Sequence, residues 1–222
     1  VAEKFKAAIE SYGPESVAIY GSGQLLTEDY YVANKLMKGF IGSANIDTNS
    51  RLCMSSTVAA QKRAFGEDLV PGCYEDLELA DLVILVGSNA AWCHPVLFQR
   101  VLAAKKNNDR LRIVTVDPRI TATSESSDLH LAIRPGTDGV LFSGLLHFLR
   151  KQDFVNLSFL DDHAEGFGKV FSDARENAGS IPEVARVTGV EEQDLAQFFQ
   201  WFGTTEKVVT LWSQGVNQSA TG

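Results

Sequence analysis

Three shortages bound what this 222-residue chain can be. Its only cysteines are Cys53, Cys73 and Cys93, which are too few for a disulfide framework and match no zinc-ligand spacing. Basic residues number 20 against 28 acidic ones, for a formal net charge of −8, and that balance argues against a nucleic-acid-binding surface. No apolar run approaches the roughly 18–20 residues of a membrane span. We therefore expect a globular protein without a nucleic-acid partner or a membrane span.

The two ends of the chain also lack expected features. No signal-peptide pattern opens the sequence, and an odd number of cysteines fits a reducing compartment. Both observations agree with a cytoplasmic location. The chain starts inside a helix-like pattern and stops at "QSATG" without an evident terminal element, so we expect a piece of a longer protein.

Alternating strand and helix patterns are what the sequence does contain. Five apolar runs are typical of strands, at residues 16–24, 81–89, 111–119, 128–133 and 207–215. Helical patterns lie between them, at residues 27–40, 55–65, 95–105 and 138–150 and over most of 156–202. The alternation predicts an α/β fold with a doubly wound, mostly parallel, Rossmann-like sheet and a helical insertion. We divide it into an α/β cofactor-binding region at 1–150, a helical segment at 151–205, and a strand with its loop at 206–222.

The turn after the second apolar run is a candidate ligand site. Gly87, Ser88 and Asn89 end that run, and a helix begins near Pro95. Glycine allows close approach of a ligand, serine and asparagine can bond phosphate oxygens, and a helix N-terminus favours negative charge. An ordinary strand-to-helix turn is an equally good interpretation of this stretch alone.

Two carboxylates follow later strands. Asp117, in "TVDPR", could accept a ribose hydroxyl or a base edge, and Arg119 could pair with a phosphate or with Asp117 itself. The separation from Gly87 exceeds the usual ~20 residues, and no GxGxxG is present, which counts against a standard NAD site. In "RPGTDG", Asp138 either caps a helix or accepts the two adjacent N–H donors of a guanine.

Two further turns resemble each other. "YGSGQ" at residues 20–24 and "WSQGVNQSATG" at 212–222 each follow a strand pattern and are rich in glycine, serine and glutamine. They could line one long ligand, or each could be a simple loop.

Cys53 stands alone in "NSRLCMSS" and opens a helical pattern. A polar, cationic loop and a helix start favour the thiolate form of a cysteine, and soft thiolates suit molybdenum-type metals. An inert packed thiol is the commoner fate of a free cysteine, and we expect Cys93 to be one. Neither a Ser-His-Asp set nor a catalytic carboxylate pair emerges.

Five stretches occur in a recognisable order: "GSGQ", "NSRLCMSS", "VGSNAAWCHPVLFQR", "VDPRITATSESSDLHLAIRPGTDG" and "WSQGVNQSATG". In this order they resemble the molybdopterin oxidoreductases that carry bis(molybdopterin guanine dinucleotide), the dimethyl sulfoxide reductase superfamily. Within it the chain is most similar to the catalytic subunits of nitrate reductases, particularly the assimilatory cytoplasmic type. The discriminating residue is Met54, because formate dehydrogenases usually have histidine after the metal-binding residue.

The resemblance implies a molybdenum enzyme that reduces nitrate to nitrite. An electron-donor protein or reductase subunit would supply electrons to this enzyme. They would pass through a 4Fe–4S cluster in an N-terminal domain that this chain does not include. Cys53 would bind the metal, and Arg51 would help to attract the anion. The implied cofactor contacts are Gln24, Asn49, Cys53, Gly87, Ser88, Asn89, Thr115, Asp117, Arg119, Gly136, Thr137, Asp138, Gln214 and Gln218.

Two alternatives remain open at this point. The parent protein could be a formate dehydrogenase or another oxyanion reductase of the same superfamily. It could instead be a non-catalytic nucleotide-binding module that uses the same turns without a metal. In either enzyme reading we expect the isolated chain to be inactive and largely free of cofactor.

Overall fold

A computed structural model describes residues 1–220 and divides the chain into two compact units, Val1–Ser55 and Ser56–Gly222. The predicted boundaries near residues 150 and 205 both fall inside the second unit. Nowhere in residues 1–220 does a helix have the length and apolarity needed to cross a bilayer.

The first unit contains a small parallel sheet of its own. Its helices are α1 (Ala2–Tyr12) and α2 (Thr27–Asn34), with a π-helix at Lys35–Ile41 and 3-10 turns at Pro14–Ser16 and Leu52–Met54. Its strands are β1 (Ile19–Gly21) and β2 (Ile46–Thr48), which pair with Ile19 opposite Ile46 and Gly21 opposite Thr48. The apolar run at 16–24 is therefore a strand, but we were wrong to expect it in the same sheet as the others. Its partner β2, "IDT", is too short and too polar to give an apolar signal.

The second unit carries the main sheet and most of the helices. Its strands are β3 (Leu82–Val86), β4 (Arg112–Val116), β5 (Leu129–Leu131) and β6 (Val208–Trp212). The helices are α3 (Ser55–Phe65, beginning at the last residue of the first unit), α4 (Asp76–Leu79), α5 (Ala90–Cys93), α6 (Pro95–Asn107), α7 (Asp138–Lys151), α8 (Leu157–His163), α9 (Phe167–Asn177), α10 (Ile181–Thr188), α11 (Glu192–Thr204) and α12 (Gln214–Asn217), with a 3-10 turn at Ser124–Ser126. All strand pairs in this sheet are parallel, in the order β5-β4-β3-β6.

Alternate residues of the central strand β3 face two different hydrophobic clusters. Leu82, Ile84 and Val86 pack in a cluster that includes residues of α7, α10 and α11. Val83 and Leu85 pack in another that includes residues of α4 and α6. A strand buried on both faces is what a continuous apolar run predicts, and the doubly wound α/β fold is confirmed.

The helical insertion is the connection from β5 to β6. Two of its helices have the side-chain caps expected from the sequence: Asn156 accepts a hydrogen bond from the Phe159 N–H at 3.0 Å, and Ser180 accepts one from the Glu183 N–H at 3.4 Å. Leu195, Phe198 and Phe199 of α11 belong to the same hydrophobic cluster as the sheet. The segment is therefore part of the core of the second unit.

The strand order locates the place where a ligand is expected. From β3 the chain adds β4 and β5 on one side, and it then returns to add β6 on the other side. In open α/β sheets the reversal of strand order leaves a crevice beyond the carboxyl ends of the two strands concerned. Here that crevice lies between the ends of β3 and β6.

Candidate functional site

The turns that follow β3 and β6 touch each other through their backbones. The Gly215 N–H donates to the Gly87 carbonyl oxygen at 3.0 Å, and the Ser213 N–H donates to that of Val86 at 3.2 Å. Gly87 has a positive φ of 54°, and a Cβ atom placed on it would lie 2.7 Å from the Gly215 Cα atom. Only glycine permits both that conformation and that approach. Two turns separated widely in sequence thus meet at the reversal point of the sheet.

A cavity of about 280 Å³ lies beside this contact. Its lining includes Val86, Asp138, Phe142, Thr210, Trp212 and Val216. Of its polar lining groups, the Asp138 carboxyl at the first residue of α7 is the ionisable one. The residue is only 9% exposed. This arrangement suits a ligand that offers hydrogen-bond donors and has flat apolar faces.

The electrostatics of Asp138 favour the same class of ligand. Burial raises the pKa of this carboxyl above its usual value, the hydrogen bond from its own backbone N–H opposes the rise, and the charge of Asp117 adds to it. Two acidic side chains predicted to bind a nucleoside therefore lie within electrostatic reach of each other. A ligand that donates hydrogen bonds to Asp138 would stabilise its charged form.

Asp117 is buried in a turn that its neighbours hold in place. Its Oδ1 atom accepts from the Arg119 N–H at 2.8 Å, so Arg119 meets Asp117 through its backbone. The Asp117 N–H donates to the Leu131 carbonyl at 3.2 Å, and the Asp117 carbonyl accepts from His130 Nε2 at 2.8 Å. That bond identifies Nε2 as the protonated ring nitrogen. The sequence placed His130 in a strand but carried no sign of this supporting role.

The Gly87-Ser88-Asn89 turn is held by a residue that the sequence did not indicate. Ser88 is buried. The Asn89 Oδ1 atom accepts from the Thr123 hydroxyl at 3.0 Å, and the same hydroxyl accepts from the Ala91 N–H at 3.0 Å. Thr123 is fully buried and fastens the turn to the segment after β4.

Thr115 occupies an unexpected place for a ligand contact. It lies inside β4 and is fully buried. Within residues 1–220 its hydroxyl is the one buried side-chain polar atom that lacks a hydrogen-bond partner.

"RPGTDG" forms a tight turn that leads into α7, and its Arg134 side chain is hydrogen-bonded to α10. The Thr137 N–H and hydroxyl both reach the Arg134 carbonyl, at 3.3 and 2.6 Å, and Gly136 has a positive φ of 80°. The Arg134 guanidinium donates to the carbonyls of Arg186 and Val187 at 2.8 and 3.2 Å. A cation at the last carbonyls of a helix is favourable, so Arg134 stabilises the turn from which Asp138 projects.

The segment after β6 carries a chain of side-chain hydrogen bonds. Trp212 Nε1 donates to the Thr57 hydroxyl at 3.1 Å, Thr57 donates to Asn217 Oδ1, and Asn217 Nδ2 donates to Gln214 Oε1 at 2.8 Å. Gln218 is exposed just after α12. The last two residues of "WSQGVNQSATG" lie outside the described residues.

In the first unit, one asparagine joins the two predicted contact stretches. Asn49 Oδ1 accepts from the Gly23 N–H at 2.6 Å, and the Asn49 carbonyl accepts from the Cys53 N–H at 2.9 Å. A Cβ atom on Gly23 would lie 3.0 Å from Ser50 Oγ. Gln24, next to Gly23, is exposed. Asn49 therefore brings "GSGQ" and the 3-10 turn of Cys53 together.

Cys53 is half-buried and takes part in no disulfide bond. Arg51 is exposed, and its guanidinium donates to the Ser55 hydroxyl at 3.4 Å. The expectation that Cys93 is packed is wrong, because that residue is exposed at the end of the short helix α5. Among residues 1–220, no three His, Cys, Asp or Glu side chains are grouped so that they could hold a metal ion.

A parallel α/β sheet with a buried acidic pocket at its strand reversal is typical of folds that bind nucleotides. The family model for molybdopterin oxidoreductases matches residues 1–222. The chain belongs to the molybdopterin oxidoreductase family.

Curated relatives carry the name of one enzyme of that family. The chain is 54% identical over 222 residues to a nitrate reductase from Shewanella frigidimarina, covering all of this chain and 24% of the relative. It is 37% identical over 231 residues to a periplasmic nitrate reductase from Desulfovibrio desulfuricans, covering all of this chain and 30% of the relative. The chain thus spans about a quarter to a third of the length of these relatives.

A solved structure supports the fold. Acetylene hydratase from Pelobacter acetylenicus matches 97% of this chain and 29% of its own length, with a TM-score of 0.68 and 24% sequence identity. At that identity the likeness concerns the fold alone.

Proposed function

We propose that this chain is part of the catalytic subunit of a nitrate reductase and holds its molybdenum bis(molybdopterin guanine dinucleotide). The observation that carries the proposal is the buried Asp138 carboxyl in the cavity at the end of β3 and β6, with Asp117 in electrostatic reach. The identity to curated nitrate reductases supports the substrate. When bound, the cofactor would supply the molybdenum at which nitrate loses an oxygen atom and gains two electrons.

The residues around the cavity fit a guanine. The N1–H and N2–H₂ groups of guanine are adjacent donors, and a single carboxylate can accept both. Such donors favour the charged form of Asp138 and so offset the raised pKa that burial and Asp117 impose. Phe142 and Trp212 would cover the apolar faces of the base.

We propose that the turns at the strand ends contact the rest of the dinucleotide. Gly87, Ser88 and Asn89 would approach the phosphates, with Arg119 as the exposed cation nearby in sequence. Thr115 and Asp117 belong to the guanosine stretch, in which buried Thr115 would act from within β4. Gly136 and Thr137 shape the turn that presents Asp138. Gln214 and Gln218 would contact the cofactor from the segment after β6.

Cys53 is the proposed protein ligand of the metal. Its backbone N–H is bonded to Asn49, which also binds Gly23, so the thiol-bearing turn and the "GSGQ" turn are fixed together. Gln24 and Asn49 would contact the pterin. Arg51, exposed two residues before Cys53, would attract nitrate by its charge.

The remaining parts of the enzyme are assigned outside these 222 residues. We propose a 4Fe–4S cluster that passes electrons from a donor protein, a cytoplasmic location, and a role in nitrate assimilation. The relative whose name states a periplasmic location is less identical to this chain, at 37%, than the Shewanella nitrate reductase, at 54%. Iron and molybdenum analysis and cell fractionation of the full-length enzyme test it; a periplasmic product without iron would contradict it.

The metal ligand is tested with Cys53→Ser in the full-length enzyme, assayed for nitrate reduction with reduced methyl viologen. We expect activity to be lost, because a serine hydroxyl replaces the soft thiolate. Cys93→Ser is the matched control, since Cys93 is an exposed free cysteine, and it should keep wild-type turnover. Near-normal nitrate turnover by Cys53→Ser would refute the ligand role.

The substrate and the nucleotide site need separate tests. A wild-type enzyme that oxidises formate and does not reduce nitrate would replace the nitrate assignment by a formate dehydrogenase. Asp138→Ala should lower the guanine dinucleotide content of the full-length enzyme, because the base loses the acceptor of two hydrogen bonds. Unchanged content would remove Asp138 from the binding site.

A further inference from the structure

We infer that Thr57 is a positioning residue that sets the polarity of the side-chain amides after β6. This inference rests on the proposed function, because it concerns how those amides meet the cofactor. It assigns a role to a residue that is not among the predicted cofactor contacts. Thr57 belongs to α3 and reaches the turn after β6 across 155–160 positions of the chain.

The hydrogen-bond directions follow from the chemistry of one group. An indole nitrogen can only donate, so Trp212 Nε1 forces the Thr57 hydroxyl oxygen to act as acceptor. The single hydroxyl proton then goes to Asn217, and the Asn217 atom that receives it must be the carbonyl oxygen Oδ1.

The orientation of the Asn217 amide in turn fixes the orientation of the Gln214 amide. With its oxygen turned toward Thr57, Asn217 presents Nδ2 to Gln214, and that donor meets Gln214 Oε1 at 2.8 Å. The other end of the Gln214 amide is then the donor Nε2. Any group that Gln214 meets through Nε2, within the protein or in a cofactor, is therefore met by an N–H donor, which suits an acceptor such as a carbonyl or phosphate oxygen.

Because these groups are partly or fully buried, the loss of any of their hydrogen bonds is costly. Thr57 is buried, Gln214 and Asn217 are half-buried, and the Trp212 ring forms part of the lining of two cavities. A buried donor or acceptor that loses its partner costs far more than an exposed one. Without the Thr57 hydroxyl, the indole N–H and Asn217 Oδ1 would both lose a partner, and nothing in this chain of bonds would hold the Asn217 amide in one of its two orientations.

A second bond from α3 provides a matched comparison. The Ser56 hydroxyl donates to the Ser219 carbonyl at 3.0 Å. It joins the same two segments as Thr57, but its partner is a backbone oxygen whose polarity cannot be reversed. Ser56→Ala therefore removes a contact without removing an orienting group.

The experiment measures how fast the full-length enzyme loses bound guanine dinucleotide, with the melting temperature of each variant as a check on folding. Thr57→Val keeps the shape and deletes the hydroxyl, and we expect loss about tenfold faster than in the wild type. Thr57→Ser keeps the hydroxyl and should restore a rate within about twofold of the wild type, as should Ser56→Ala.

Asn217→Asp provides a second test of the same inference in case Thr57→Val does not fold. The carboxylate can still accept from Thr57, but it has no Nδ2 donor, so Gln214 must turn its own N–H toward it. This change should also accelerate the loss of the dinucleotide.

The outcomes separate the two proposals. Wild-type retention by Thr57→Val or by Asn217→Asp, or equal loss in Thr57→Ser and Thr57→Val, would overturn the positioning role while leaving the proposed function intact. A wild-type full-length enzyme without any guanine dinucleotide would instead refute the proposed function.

Discussion

Different interactions stabilise each of the two units internally. In the second unit, every residue of β3 is buried, and Phe198 at 0% exposure lies in the same cluster as Leu82, Ile84 and Val86 of that strand. In the first unit, each strand has three residues and none is buried. Large side chains of that unit are exposed instead, with Tyr12 at 82% and Phe40 at 76%.

This difference teaches how each proposed site keeps its shape. The acidic cavity stands at the edge of a sheet buried on both faces, so hydrophobic packing fixes the turns around it. The segment of Cys53 depends on a few hydrogen bonds through Asn49. Regions with few buried apolar contacts open at lower free energy than the core, so we expect the first unit to exchange its amide protons faster.

The largest expected effect comes from the core of the second unit. Phe198→Ala should lower the free energy of unfolding by about 3–5 kcal/mol, because it leaves a large cavity among buried residues. Phe40→Ala in the first unit is the comparison, and its effect should stay within about 0.5 kcal/mol because the ring is exposed. Urea unfolding of the purified chain measures both, and similar losses would contradict the contrast between the units.

The next effect concerns the contact of the two glycine turns. Gly87→Ala should destabilise the chain by about 2–4 kcal/mol, because the new methyl group meets backbone atoms at a positive φ. Gly66→Ala also has a positive φ but meets nothing within 4 Å, so it should cost only about 1 kcal/mol. Equal midpoints of thermal unfolding for the two variants would show that the close approach of Gly87 to Gly215 does not exclude a side chain at position 87.

Long, strongly patterned elements could be predicted from the sequence because their signals are local. The 55–65 helix begins and ends where the pattern indicates, and the Asn156 and Ser180 caps bond as expected. The four strands of the main sheet lie within the predicted runs. In each case the residues that form the element also identify it.

What the sequence did not indicate depends on contacts between distant residues. The pairing of β1 with β2 rests on a partner of three residues, and the meeting of Gly87 with Gly215 depends on the strand order. The supporting roles of His130, Thr123 and Thr57 arise from hydrogen bonds across 13, 34 and up to 160 positions. No periodicity or motif encodes such bonds, so most of the candidate site's support could not be predicted.

A smaller effect is expected at the polar link of the first unit. Asn49→Ala removes the acceptor of the Gly23 N–H and should cost about 1 kcal/mol in local stability. Hydrogen exchange at the Gly23 amide should therefore accelerate, while amides of β3 keep their protection. Asn45→Ala is the control, since its exposed side chain bonds only the Glu15 carbonyl at 3.1 Å in the described contacts, and it should leave Gly23 unchanged. Unaltered exchange at Gly23 in Asn49→Ala would mean that this hydrogen bond does not hold the turn.

The smallest effect is a pH dependence in the second unit. The pKa of Asp138 is raised in the folded chain by burial, with a further contribution from Asp117, whereas the unfolded carboxyl titrates near its ordinary ~3.9. The folded state therefore binds this proton more tightly than the unfolded state does. Stability contributed by the protonated group is present below the ordinary pKa and declines as the pH rises through the raised one.

Asp138→Asn removes this titration while nearly keeping the shape of the side chain. Without ligand, the variant should be more stable than the wild type at neutral pH, and the difference should shrink as the pH falls toward about 4. Urea unfolding from pH 4 to pH 8 measures it, and a difference that is independent of pH, or that favours the wild type at neutral pH, would contradict the raised pKa. A site whose acidic residue weakens the empty fold is best explained by a ligand that supplies the missing hydrogen-bond donors, as a guanine would.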